Sequence, residues 1–99
     1  METWTHKQWK QALEELPEAV YYLYTPMCGT CAVASKMLDV IAAMKPDLHM
    51  GKADLNYVQE VAVEYEIESV PCLLIQKEGK IQHKIYAFHS VPYLLEKLS

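Results

Sequence analysis

The sequence lacks any long hydrophobic run, has little glycine and cysteine, and carries no cluster of positive charge. No stretch approaches the roughly 18 consecutive apolar residues of a membrane-spanning helix. Three glycines among 99 residues, 52% of which are hydrophobic, exclude a collagen-like fibre and a disordered chain. The formal net charge of −4 argues against nucleic acids and anionic membranes as partners. A single folded domain over residues 1–99 is expected.

The amino-terminal stretch and the cysteine count both bear on the cellular compartment. Met1 to Trp4 form no positively charged segment leading into an apolar run, so a cytoplasmic location is expected. Three cysteines are too few, and odd in number, for a secreted disulfide framework. In a reducing compartment, two cysteines separated by two residues are more often catalytic or metal-binding than structural.

The first half of the chain predicts a helix, a central strand and a long helix. Thr5 and Gln8 form a capping-box pattern, which predicts a first helix over residues 6–15. The apolar run over residues 20–24 predicts a strand that is buried on both faces. The long helix is predicted to run from Cys31. Its predicted buried stripe, in which methionines fill the core, is Val33, Met37, Val40, Ile41 and Met44.

The second half predicts a strand, a helix, a hairpin and a final helix. Residues 48–54 predict a strand, and Asn56 is expected to cap a third helix. Residues 70–77 and 80–88 predict an antiparallel hairpin, and Ser90 opens the last helix. The chain before the first helix has room for a very short strand or none. We therefore expect an α/β fold with a mixed four-stranded sheet and helices on both faces.

Cys28 and Cys31 lie three positions apart, where a strand leads into a helix. On one helical turn their Cβ atoms would lie about 5–6 Å apart, which suits the Cα separation of about 4.4–6.8 Å found in disulfides. A helix amino terminus favours a thiolate, so Cys28 is predicted to be the nucleophile. Cys31 lies one turn inside the helix and is predicted to be the buried, resolving thiol.

Metal binding is the alternative use of these cysteines. A non-catalytic binding module that holds a metal or cluster would need ligands beyond Cys28 and Cys31, and Cys72 is the third cysteine available. The four histidines form no second ligand motif, and we expect neither a metal nor a bound cofactor. For Cys72 we favour a small buried hydrophobic residue over an auxiliary redox thiol or a third ligand.

The Cys-Gly-Thr-Cys motif at 28–31, the Val-Pro pair at 70–71 and the Glu-Gly turn at 78–79 resemble the thioredoxin family. The resemblance extends over nearly the whole chain. It implies a thioredoxin-like fold, a thiol–disulfide oxidoreductase, and a cis-proline at Pro71 beside the dithiol. Substrates would be protein or small-molecule disulfides, with electrons from a reductase or thiol pool. The expected substrate-binding residues are Met27, Gly29, Thr30, Val70 and Pro71.

Three positions near the dithiol depart from the family pattern. Met27 stands where the family usually has tryptophan, Thr30 where it has proline, and Tyr22 where it has a buried acid. Without that carboxylate, no proton acceptor for Cys31 is evident. Thr30 restores an N–H group and adds a hydroxyl, both able to donate toward the Cys28 sulfur. We therefore expect a lowered Cys28 pKa and a less reducing couple than that of a typical thioredoxin.

Overall fold

The computed structural model describes residues 1–99 as a mixed sheet of five strands with helices on both faces. The predicted α/β architecture is confirmed. A 3₁₀ turn, Leu55–Tyr57, precedes the third helix, and no helix combines the length and apolar content needed to cross a membrane. In chain order the elements are β1 (Glu2–Thr3), α1 (His6–Glu15), β2 (Glu18–Tyr24), α2 (Gly29–Met44), β3 (His49–Asp54), α3 (Gln59–Glu64), β4 (Cys72–Lys77), β5 (Lys80–Ile85) and α4 (Val91–Leu98).

The strand order is β1-β3-β2-β4-β5, so β2 is the central strand, as the sequence predicts. It runs parallel to β3 and antiparallel to β4. The opening strand β1 is present and pairs with β3 over two residues, which gives five strands instead of four. The carboxyl end of β2 therefore lies at the middle of one sheet edge. The chain that leaves this end carries the dithiol.

The long helix α2 turns a different face to the sheet from the one predicted. Its buried positions recur at i, i+3, i+7 and i+10 from Cys31. Val33, Val40 and Met44 of the predicted stripe are 58%, 48% and 58% exposed, so the prediction is wrong at these positions. Apolar residues occupy most of the circumference of α2, and periodicity alone does not choose between two apolar faces. The observed rotation buries Cys31, whose carbonyl accepts a hydrogen bond from Tyr22 in the central strand.

The ends of three other elements differ from the predicted ones. β4 begins at Cys72, two residues late, and β5 ends at Ile85 rather than at Phe88. The ladder between these strands ends at Ile85, so the residues after it have no strand partner. The third helix begins later than predicted because a 3₁₀ turn comes first. Asp54, not Asn56, caps that turn, and its Oδ1 accepts a hydrogen bond from the Asn56 amide at 3.0 Å.

Two apolar cores lie on opposite faces of the sheet. The core beneath α2 and α4 includes Tyr22, and the core beneath α1 and α3 includes Trp9 and Cys72. Trp9 is fully buried. Gly51 lies against the Trp4 ring, and a Cβ at this glycine would collide with the indole. Glycine weakens a strand, but here it makes room for an aromatic ring.

Candidate active site

Cys28 and Cys31 form a disulfide at the amino end of α2. Their Cα atoms are 5.3 Å apart, within the range that disulfides use. After β2 ends, a turn closed by the hydrogen bond from the Cys28 amide to the Thr25 carbonyl, 3.2 Å long, leads the chain into the helix. Cys28 is the last residue before the helix. It therefore lies where unpaired N–H groups and the helix dipole favour negative charge.

The two sulfur-bearing residues of this disulfide differ in exposure. Cys31 is 4% exposed, whereas Cys28 is half-buried. The Cys28 Sγ atom lies 3.4 Å from the Thr30 hydroxyl oxygen and 3.7 Å from the Val70 carbonyl oxygen. An incoming disulfide would therefore meet Cys28 first. The Thr30 hydroxyl is within reach to donate a hydrogen bond to a Cys28 thiolate.

Val70 and Pro71 form a second wall beside the dithiol. The peptide bond between them is cis, as the resemblance implies. These residues follow Cys28 by some forty positions, yet the sheet brings them close because β4 begins directly after Pro71. The first residue of β4, Cys72, pairs with Leu23 near the end of β2. The carboxyl end of β2 and the start of β4 thus meet at the same sheet edge.

Met27 and Gly29 flank Cys28 on the solvent side. The Met27 side chain is 95% exposed, so a large flexible apolar group projects beside the disulfide. Gly29 is exposed as well, and a Cβ built there would have no atom within 4 Å. The surface around Cys28 is therefore open, and Met27 gives it an apolar contact point.

An apolar groove of about 360 Å³ opens beside Thr30 and Pro71, and sequence reasoning missed it. Its far wall consists of residues 86–89, which follow β5. The sequence pattern predicts a strand through residue 88, which covers most of this wall and indicates no role for it at the site. The signal available was the Tyr-Ala-Phe-His run, which breaks the alternation expected of a half-exposed strand.

Tyr22 occupies the place where the family usually has a buried acid. Its side chain is fully buried. The hydroxyl donates a hydrogen bond to the Cys31 carbonyl at 2.9 Å and accepts one from the Ser35 hydroxyl at 3.0 Å. Burial raises the pKa of Tyr22, and the Ser35 hydrogen bond opposes that shift. Tyr22 is therefore neutral at physiological pH and cannot take the proton of Cys31 as a carboxylate would.

Cys72 lies apart from the dithiol. It is a free cysteine, fully buried in the core beneath α1 and α3, whereas Cys31 belongs to the helix on the opposite face. Burial raises the pKa of the Cys72 thiol to about 12, and the Lys84 charge opposes the shift. No group of three or more His, Cys, Asp or Glu side chains converges as metal ligands would. This placement favours the hydrophobic interpretation of Cys72.

Comparison with known proteins identifies the family. The thioredoxin family model matches residues 1–98. The chain is 51% identical over 86 residues to the thioredoxin-like protein YusE of Bacillus subtilis (strain 168), covering 85% of this chain and 81% of that protein. The chain belongs to the thioredoxin family. Membership and the Cys28–Cys31 pair at disulfide distance together support a thiol–disulfide oxidoreductase role.

The chain is also similar to proteins that are named thioredoxins. The thioredoxin of Mycoplasmoides gallisepticum is 30% identical over 78 residues, covering 79% of this chain and 78% of that protein. Mitochondrial thioredoxin 3 from Saccharomyces cerevisiae, in its oxidised form, superposes with a TM-score of 0.86 at 23% identity, over 98% of this chain and 91% of that one. Plasmodium falciparum thioredoxin gives a TM-score of 0.89 at 17% identity, over 100% of both chains. These structures confirm the thioredoxin fold.

Proposed function

We propose that this thioredoxin-family protein is a thiol–disulfide oxidoreductase in which Cys28 is the nucleophile and Cys31 the resolving thiol. One observation carries the proposal: the half-buried Cys28 sulfur has a hydroxyl donor within 3.4 Å, while its disulfide partner Cys31 is buried behind it. A thiol at a helix amino terminus with a hydrogen-bond donor is set up to exist as a thiolate. The buried Cys31 thiol can reach only an adjacent sulfur, which is that of Cys28.

The proposed reaction consists of two thiol–disulfide exchanges. In the first, the Cys28 thiolate attacks one sulfur of the substrate disulfide, the substrate S–S bond breaks, and the departing thiolate takes up a proton. In the second, Cys31 gives its proton to solvent water and attacks the Cys28 sulfur as a thiolate, which breaks the Cys28–substrate bond and releases the other substrate sulfur as a thiolate. The substrate gains two electrons, and the Cys28–Cys31 dithiol becomes a disulfide.

The substrate surface is the shallow groove around Cys28. We assign it Met27, Gly29 and Thr30 on one side and Val70 and Pro71 on the other. An extended peptide or a small disulfide would lie between these walls with its sulfur over Cys28. The electrons would come from a reductase or a thiol pool in the cytoplasm. Residues 1–99 would act as one domain and would need no bound cofactor.

The experiment that tests this proposal measures reduction of a protein disulfide by the pre-reduced protein. Cys28→Ser should abolish turnover because serine cannot form the mixed disulfide. Metal analysis of anaerobically purified protein belongs to the same experiment. Full turnover by Cys28→Ser, or stoichiometric metal in a wild-type protein that turns over no disulfide, would contradict the assignment and favour the binding-module alternative.

A further inference from the structure

The segment between α3 and β4, residues 65–71, begins in a strained conformation. Glu66 has a φ of 52°, in the left-handed region that glycine normally occupies just after a helix. The amide of Glu66 donates to the Val63 carbonyl at 3.4 Å, and the amide of Ile67 donates to the Ala62 carbonyl at 2.9 Å. These two bonds form a Schellman motif. A glutamate in this conformation is disfavoured, so other contacts must stabilise the turn.

Lys84 in β5 and Tyr86, the first residue after β5, supply those contacts. The Lys84 ammonium donates to the Tyr65 carbonyl at 3.0 Å and to the Glu66 carbonyl at 3.3 Å. The Tyr86 hydroxyl accepts from the Glu68 amide at 3.1 Å and donates to the Glu66 carbonyl at 3.4 Å. Lys84 also places its charge at the carboxyl end of α3, where the helix dipole favours a cation.

The held segment leads directly into the second wall of the dithiol site. Val70 comes two residues after Glu68, and its carbonyl lies 3.7 Å from the Cys28 Sγ atom. Beyond Pro71 the chain is fixed again because β4 begins. The wall is thus a short segment that is held at both ends. The hydrogen bonds from Lys84 and Tyr86 hold its start, and the sheet holds its end.

We propose that Lys84 and Tyr86 are positioning residues for this wall. They hold the 65–71 segment in its strained turn, so that Val70 and Pro71 stand at the correct distance from Cys28 to receive a polypeptide substrate. This inference rests on the proposed disulfide exchange at Cys28. Neither side chain touches the sulfur atoms. Their effect should therefore appear in the binding of a substrate that needs the wall.

Tyr86→Phe tests the proposal because it removes only the hydroxyl and keeps the ring. We expect the KM for a protein disulfide to rise about fivefold, because the turn loses both hydrogen bonds of the hydroxyl and part of that loss reaches the wall, with kcat little changed. The rate with a small aromatic disulfide, which does not need the wall, should stay the same. Tyr93→Phe, on α4, is the matched control. An unchanged KM, or an equal loss with both substrates, would overturn the proposal.

Amide hydrogen exchange provides a readout that does not depend on activity. In Tyr86→Phe the Glu68 amide should exchange about fivefold faster because its acceptor is gone. The Lys45 amide, bonded to the Ile41 carbonyl at 2.8 Å at the far end of α2, should keep its rate and serves as the internal control. Unchanged exchange at Glu68 overturns the inference even if the protein reduces disulfides. A wild-type protein that reduces none contradicts the proposed function, and the exchange result still decides whether the turn is held.

Discussion

Cys31 and Cys72 are both buried, with 4% and 0% of their surface exposed, but they differ in their secondary-structure element and in their sulfur partner. Cys31 lies on the first turn of α2, bonded to a half-buried partner at the helix terminus. Cys72 lies on β4 in the opposite core, with Leu23 as its strand neighbour. Burial alone therefore does not set the chemistry of a cysteine. A second sulfur within reach, presented at a helix amino terminus, does.

The sharpest way to break this comparison is to remove each thiol in turn. Cys31→Ala should lose multiple turnover and accumulate a mixed disulfide on Cys28, because no thiol remains to release the product. Cys72→Ala should keep wild-type turnover because its thiol faces the other core. Turnover assays with mass spectrometry of the trapped adduct check both variants. A folded Cys72→Ala protein without turnover would show that Cys72 takes part in the chemistry.

The titration of Cys72 provides the next largest expected effect. Burial raises its folded-state pKa from the ordinary value to about 12, so the unfolded chain loses this proton first as the pH rises. Between those two pKa values the folded protein binds more protons, and its stability falls with pH. The free energy of unfolding of wild type should therefore drop toward that of Cys72→Ala, by roughly 2 kcal/mol between pH 8 and pH 11.

Chemical denaturation of both proteins at several pH values measures this change. The difference between the two curves isolates Cys72, because other groups, including the buried tyrosines, titrate alike in both proteins. Two curves that stay parallel from pH 8 to pH 11 would show that burial does not shift the Cys72 thiol.

The environment of Cys28 is tested by Thr30→Val, which removes the hydroxyl and keeps the shape of the side chain. The Cys28 pKa in the reduced protein should rise by about one unit, since a hydrogen bond to a charged group contributes about 1.5–3 kcal/mol, less where solvent competes. The couple should become more reducing by about 30 mV. Thiolate absorbance and equilibration with a redox buffer measure these changes. Thr30→Ser keeps the hydroxyl and should match wild type, and equal pKa values in all three proteins would exclude a hydrogen bond from Thr30.

Much of the site is predictable from sequence because its residues are identified by a short motif or by the order of the strands. The spacing of Cys28 and Cys31, at the junction of an apolar strand and a helix, needs only a short window. The approach of Val70 and Pro71 to this junction follows from the strand order, since a central β2 beside β4 brings their ends together. These parts depend on the path of the backbone, which hydrophobic pattern and turn residues largely determine.

The missed features depend on the rotation of a helix about its own axis and on contacts between residues that are distant in sequence. Because apolar residues surround most of α2, the sequence does not determine which face meets the sheet, and it predicts a buried Val33 where the side chain is 58% exposed. The bonds from Lys84 and Tyr86 to the 65–71 segment join a side chain to a backbone 18 to 20 residues away. Such bonds leave no periodic trace in a sequence.

The smallest expected effect concerns Tyr22, the neighbour that Cys31 has and Cys72 lacks. Tyr22→Phe should lower the free energy of unfolding by about 1 kcal/mol, because the Cys31 carbonyl loses a donor and the Ser35 hydroxyl loses its acceptor. Since burial raises the pKa of Tyr22, the hydroxyl is protonated at neutral pH in wild type. Its removal should therefore leave the titration of Cys31 unchanged.

Chemical denaturation measures the free energy of unfolding. Alkylation rates of Cys31 in the reduced protein, measured against pH in a Cys28→Ser background, measure the titration of Cys31. Tyr24→Phe is the control because Tyr24 stacks on Tyr22 at a ring distance of 5.6 Å without a hydroxyl bond to Cys31. A lower stability with the same pH profile means that Tyr22 only fixes the first turn of α2. A shift of the pH profile of Cys31 alkylation in Tyr22→Phe alone would mean that the hydroxyl exchanges a proton with Cys31. Tyr22 would then be the proton acceptor in place of the missing carboxylate.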